Sequence, residues 1–174
     1  GVLEVVNAAV IVLDKYPHTG FVIAGASPSK EQSAKEKADK IIKENGIQDK
    51  IIFPGVITGN DKKDFFNNID IFVFPSWYQF EGLPLVLLAA MSASIPVISV
   101  RETGVISEIV LENETGILIE KKDPVKLAEA IIYLIENPEI RNTMGKRGKE
   151  RFDKNFTHKI NIENMIRVFN KVLN

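Results

Sequence analysis

Five short runs rich in β-branched and aromatic residues, Thr19–Gly25, Lys50–Phe53, Ile71–Phe74, Ile95–Val100 and Thr115–Ile119, alternate with longer segments of helical spacing. Few folds accept that order. Apolar runs this short and continuous read as strands buried on both faces, the habit of parallel sheets, and parallel neighbours need a crossover that a helix supplies. The expected fold is therefore α/β, a doubly wound parallel sheet with helices on both faces and right-handed crossovers. Ligands of such sheets bind beyond the carboxyl ends of the strands.

Length and composition narrow the function classes. A chain of 174 residues suits one domain, so residues 1–174 are expected to form a single unit. With a net charge of −1 there is no basic excess to point to nucleic acid. Cysteine is absent, which excludes disulfides and thiolate metal sites and accords with a reducing, cytoplasmic location. His18 and His158 stand alone, without carboxylates at ligand spacing, so no metal site is expected. No apolar run reaches the roughly 20 residues of a membrane span.

The stretch around Ile71–Met91 carries the chemistry. Its strand closes at Pro75, a loop presents Trp77, Tyr78 and Phe80, and Glu81-Gly82 lead into an apolar helix with Pro84 in the first turn, where a missing N–H costs nothing. Amides of Gly82, Leu83 and Leu85, with the positive end of the helix dipole, suit a phosphate, and Gly82 admits close approach to the backbone. By itself, Glu81 reads as a first-turn carboxylate favoured by that dipole. Gly25 ends its strand at the ligand edge and serves either a ligand loop or only the turn; its sequence surroundings favour neither. Helices are expected over Val2–Lys15, Lys30–Asn45, Asp61–Asn68 with Asp61 as cap, and Thr157–Leu173, whose stripe includes Ile160, Ile162, Met165, Ile166, Phe169 and Val172. Asp123-Pro124 has the cap-then-proline order of a helix start. Phe65 and Phe66 read as core, and the Lys146–Lys154 basic cluster as a solvated face.

Glu81-Gly82-Leu83-Pro84-Leu85-Val86-Leu87-Leu88, Ala90-Met91, Ile95-Pro96-Val97-Ile98, Glu108-Ile109-Val110, Thr115-Gly116-Ile117-Leu118-Ile119 and Asp123-Pro124 resemble the donor-binding half of family 4 glycosyltransferases (glycosyl transferases group 1), which have the GT-B architecture. The resemblance implies a retaining transfer of a sugar from a nucleotide-sugar donor to an acceptor, as in glycan, lipid or polysaccharide biosynthesis, with no cofactor and no metal. It implies that Glu81 touches donor hydroxyls and that the backbone from Gly82 through Leu83 and Pro84 to Leu85 holds the donor phosphates. Gly25 falls in the donor loop, Val56 beside the base, and Gly104 in a glycine-rich loop where two adjacent glycines are common; Ser94 replaces a usual glycine. The family's second glutamate, which holds the ribose, falls at Ala89. Gly1 matches the glycine after the basic residues that end the first strand, so the chain is expected to be a fragment lacking that strand and the N-terminal acceptor domain. Any membrane contact would belong to the missing half, towards which the terminal helix crosses. The alternative is a non-catalytic nucleotide-binding or scaffold domain that kept the fold without the ribose glutamate. A nucleotide-sugar epimerase would share the architecture, but its acid–base residues are not found.

Overall fold

A computed structural model describes residues 1–26, 32–78, 82–101 and 103–173. Strands and helices alternate in the expected order: α1 (Val2–Lys15), β1 (Phe21–Ala24), α2 (Gln32–Glu44), β2 (Ile51–Gly55), α3 (Gly59–Asn67), β3 (Phe72–Phe74), α4 (Leu85–Ser92), β4 (Val97–Val100), α5 (Ile106–Ile109), β5 (Gly116–Ile119), α6 (Pro124–Glu136), α7 (Pro138–Asn155) and α8 (His158–Leu173). All strand pairs are parallel. Helices cover both faces of a Rossmann-like arrangement, the doubly wound class that the alternation implied.

The strands fall into two sheets, β1–β2 and β3–β4–β5. β4 is central in the larger one and buried along its whole length, as a strand covered on both faces must be. Its one polar side chain, Ser99, is satisfied by donating to the Phe74 carbonyl at 2.6 Å. The smaller sheet is less covered: Val22 and Ile52, paired in register, are 42% and 59% exposed. Between the two sheets lies a cavity of about 1010 Å³.

α1 holds the two halves together. Val6, Ala9 and Leu13 join Ala38, Ile42 and Ile51 in one core cluster, while Val5, Ala8 and Val12 join the larger cluster around Leu87, Met91, Ile98 and Leu127. Two neighbouring stripes at helical spacing thus serve two cores. Phe66 is buried, and its ring lies 5.1 Å from Phe65 and 5.4 Å from Phe72, the core role expected of this aromatic pair. Asp123 caps α6, accepting from the Lys126 N–H at 2.9 Å with Pro124 in the first turn. α3 differs from expectation: it begins at Gly59 with Thr58 at the cap position, so Asp61 lies inside the first turn. α8 has no buried residue, and its stripe of Met165, Ile166 and Phe169 is uncovered among the described residues.

Candidate functional site

Within each sheet the strands are parallel, so their exits lie together at one edge of that sheet, and the sequence candidates leave the strands there. β1 exits at Gly25, which has φ +145° and donates to the Gly55 carbonyl at 2.8 Å, tying the first two exits together. β2 exits through Gly55 (φ +77°) to Val56, whose side chain is 66% exposed although apolar. β3 exits into Pro75 and the exposed Trp77 and Tyr78. From β5, the Lys122 ammonium comes to 4.3 Å from the Trp77 ring centroid, spanning the end of β4. Among the described residues, no group of His, Cys, Asp and Glu is arranged to hold a metal ion.

Gly82 and Leu83 are exposed, and a methyl at Gly82 would meet nothing within 4 Å among the described residues, so the backbone there is open to a ligand. Pro84 is buried and forms the cap of α4, just before the first turn in which the sequence placed it, so Glu81 lies ahead of that turn as well. That shift changes which amides belong to the helix start. The Leu87 N–H is taken by the Pro84 carbonyl at 2.9 Å, and the first-turn amides without an intrahelical acceptor are those of Leu85 and Val86. Leu85 is exposed. Glu81 lies outside the described residues, as does Glu102.

α4 exposes a stripe. Leu87, Leu88, Ala90 and Met91 are buried, whereas Leu85, Ala89 and Ser92, at spacings of four and three, are not. Ala89 is half-buried on this stripe, one turn below Leu85. The helix ends in a Schellman motif: the Ser94 N–H donates to Met91 O and the Ile95 N–H to Ala90 O, each at 3.0 Å, with Ser94 at φ +61°. Position 94 therefore calls for a left-handed residue, which explains a glycine there as a helix stop and gives it no part in binding.

Gly104, at φ +51°, sits in the turn after β4 and is exposed, so its glycine is required by the backbone whatever it binds. Beside it Thr103 is 4% exposed, and its hydroxyl has no hydrogen-bond partner among the described residues. Arg151, read from sequence as part of a solvated face, has a structural task. Its guanidinium donates to the Ile109 carbonyl at 3.0 Å and the Glu108 carbonyl at 2.6 Å, closing the C-terminal end of α5. The other end of the same loop is held by Arg101, which donates to Glu112 and to the Leu118 carbonyl. That bond holds the Glu112 carboxyl below its ordinary value.

A parallel α/β scaffold with glycine turns and an open helix start after its strand exits is of the doubly wound, Rossmann-like class. Residues 1–151 match the model of the glycosyl transferases group 1 family. The chain belongs to that family, and its fold is that of a GT-B C-terminal domain. A capsular polysaccharide biosynthesis glycosyltransferase of Staphylococcus aureus, CapM, is 30% identical over 176 residues, covering 99% of this chain and 43% of that protein. The chain thus spans less than half the length of that relative. The crystal structure of the C-terminal domain of a group 1 family glycosyl transferase, LpcC of Francisella tularensis, superposes with a TM-score of 0.82 at 27% identity, covering 91% of this chain and 80% of that one. Anabaena HepE, crystallised with UDP and glucose, shares the fold at TM-score 0.83 and 19% identity, over 95% of this chain and 43% of that one.

Proposed function

We propose that this chain is the donor-binding half of a retaining glycosyltransferase that moves a sugar from a nucleotide-sugar donor to an acceptor bound by the rest of a longer protein. The observation that supports the reading is that each candidate follows a strand exit, Gly25 and Val56 after β1 and β2, Gly82–Leu85 and Gly104 after β3 and β4, with the start of α4 left open. HepE, of the same fold, was crystallised with UDP and glucose, which supports a nucleotide-sugar at the corresponding edge.

In this reading the bond between the anomeric carbon and the donor diphosphate breaks, and a bond to an acceptor hydroxyl oxygen forms as that hydroxyl's proton passes to the departing diphosphate. The electron pair of the broken bond leaves with the diphosphate. Amides at Gly82, Leu83, Leu85 and Val86, aided by the α4 dipole, stabilise the growing negative charge, and because they are fixed by the helix they need no reorganisation during the reaction. The open backbone at Gly82 allows the phosphate to approach. Glu81 holds hydroxyls of the donor sugar, Gly25 and Gly104 shape the loops around it, and Val56 lies beside the base. The acceptor-binding half would cover the apolar stripe of α8.

The test is Glu81→Gln in the longer protein. Sugar transfer is expected to fall while the melting temperature stays within about two degrees, since a carboxylate three positions before the cap of α4 contributes at most about 1 kcal/mol through the helix dipole. Unchanged transfer with lowered stability would reduce Glu81 to a dipole partner. A second reading has its own observation: Ala89, on the exposed stripe of α4, supplies no acceptor for ribose hydroxyls. A domain that binds a nucleotide weakly and transfers nothing would fit it, and the absence of transfer by the unsubstituted longer protein would favour it.

A further inference from the structure

Lys122 stands where the backbone asks for a different residue. Among the described residues, three non-glycine positions have left-handed φ: Ser94 at +61°, Asn113 at +60° and Lys122 at +56°. Asparagine tolerates that region, and Ser94 is held in it by the Schellman bonds that end α4. Lys122 lies in the turn between β5 and α6, which glycine would make with less strain. The neighbouring acids are engaged elsewhere: Asp123 accepts from the Lys126 N–H at 2.9 Å as the cap of α6, and Glu120 lies 3.4 Å from Arg101. What the exposed side chain does reach is Trp77, with its ammonium 4.3 Å from the ring centroid.

The contact crosses the sheet. In the order β3–β4–β5, Trp77 follows β3 and Lys122 follows β5, so the two side chains meet over the end of β4. The β5 side is a firm base, because Arg101, after β4, donates through its guanidinium to Glu112 and to the Leu118 carbonyl, and through its backbone N–H to the Ile119 carbonyl at 2.9 Å. The β3 side is the connection to α4. Buried Pro75 and buried Pro84 pin its ends, whereas Trp77, Tyr78, Gly82 and Leu83 are exposed. Core packing thus fixes where the connection begins and ends, and surface contacts set the course of the described residues between. We propose that Lys122 is a positioning residue: through the Trp77 ring it latches the β3–α4 connection to the β5 edge, and so holds the Gly82 and Leu83 amides where the donor diphosphate binds.

The proposal rests on the functional reading above, in which those amides stabilise the leaving diphosphate. A cation over an exposed aromatic ring is a modest attraction, equivalent to about a two- to fivefold shift in the population of the latched connection. An open connection must close before the amides can meet the phosphates, so losing the latch lowers the apparent affinity for the diphosphate by up to that factor. The backbone strain acts in the other direction. Removing the lysine side chain relieves the left-handed turn, so stability rises as binding weakens, and a residue with a purely structural role would not separate the two.

Calorimetric titration and thermal unfolding of the longer protein test it, with UDP, GDP and ADP as probes and the one that the unsubstituted protein binds most tightly carried forward. Lys122→Gly is expected to weaken that nucleotide about two- to fivefold while raising the melting temperature by about 2–4 °C. Lys122→Arg, which keeps a cation for the ring, is expected to bind within about 1.5-fold of the parent. In a Trp77→Ala background, Lys122→Gly is expected to cost no further affinity. Where Trp77→Ala does not fold, Trp77→Leu takes its place. Equal affinity in the parent and Lys122→Gly would overturn the latch and leave the functional reading standing. A loss that persists undiminished without the Trp77 ring would overturn it as well, since the ammonium would then act on the nucleotide directly. Failure of all three nucleotides to bind the unsubstituted protein would remove the functional reading, and this proposal with it.

Discussion

Gly145 and Gly148 lie on one buried side of α7, yet an added methyl is expected to act in opposite directions at the two positions. Replacing a helical glycine by alanine ordinarily stabilises by about 0.8–1.0 kcal/mol through backbone entropy. At Gly148 nothing opposes that gain, because the new Cβ would sit 3.7 Å from Met91 Cγ, an ordinary contact with a flexible side chain. At Gly145 it would lie 2.0 Å from the Ser94 carbonyl oxygen and 2.8 Å from its carbon. A relaxed carbon–oxygen contact is about 3.3 Å or more, so something must retreat by over an ångström. The carbonyl belongs to a residue at φ +61° between two Schellman bonds, and the neighbouring Pro96 stiffens the chain further. Overpacking of this kind costs about 1–3 kcal/mol and more against rigid backbone, which exceeds the helical gain.

Gly145→Ala is therefore expected to destabilise by about 2 kcal/mol and Gly148→Ala to stabilise by about 0.5–1 kcal/mol. For a domain of this size these correspond to a melting temperature about 4–8 °C lower and about 1–4 °C higher, respectively. Thermal and urea unfolding of both variants in one background would measure them, with an unchanged urea slope showing that stability alone has moved. A Gly145→Ala protein as stable as its parent would refute the close packing of α7 on the α4–β4 turn. The consequence reaches the site, because that turn sets where α4 points its first amides.

Ala89→Glu in the longer protein is expected to tighten nucleoside diphosphate binding about ten- to hundredfold in calorimetric titration, the value of one hydrogen bond to a charged acceptor; equal affinities would mean that position 89 does not face the ribose. Ser94→Gly should raise the melting temperature by about 2–4 °C by relieving a left-handed non-glycine residue, and a lower value would show that the Ser94 side chain makes a contact worth more than the strain. The Glu112 carboxyl is held below its ordinary value chiefly by its hydrogen bond from Arg101, so its contribution is present above the ordinary glutamate range near pH 4.5 and is lost as pH falls through the lower folded value. Glu112→Gln should accordingly flatten the acid limb of the stability curve below about pH 5, and an unchanged limb would show that the bond does not persist in solution.

What could be read from the chain and what could not divide along physical lines. Local rules carried the elements: β-branched runs became strands, and Asp123-Pro124 capped α6 as its order implies. The family's glycines were also legible as positions, but their reasons needed backbone angles. Gly104 answers a positive φ, and the glycine replaced by Ser94 is a helix stop. Long-range contacts escaped. Arg151 looked like one cation among several, and only the fold brings it to the carbonyls of Glu108 and Ile109, more than forty residues away.

The division of the described strands into two sheets is the most instructive case. Each strand carries the composition of a doubly covered parallel strand, yet β1 reaches only alternating half-burial while β4 is buried throughout. The difference follows from the neighbours available to each. β4 has a strand on both sides, whereas β1 and β3 each have one partner and a cavity. α1 bridges the two cores with side chains suited to a single continuous layer, and its apolar stripe is wider than either half needs alone. The candidate residues lie at the same discontinuity, after the exits of β1 and β3, so how the two banks meet depends on packing between the sheets rather than on any local sequence rule.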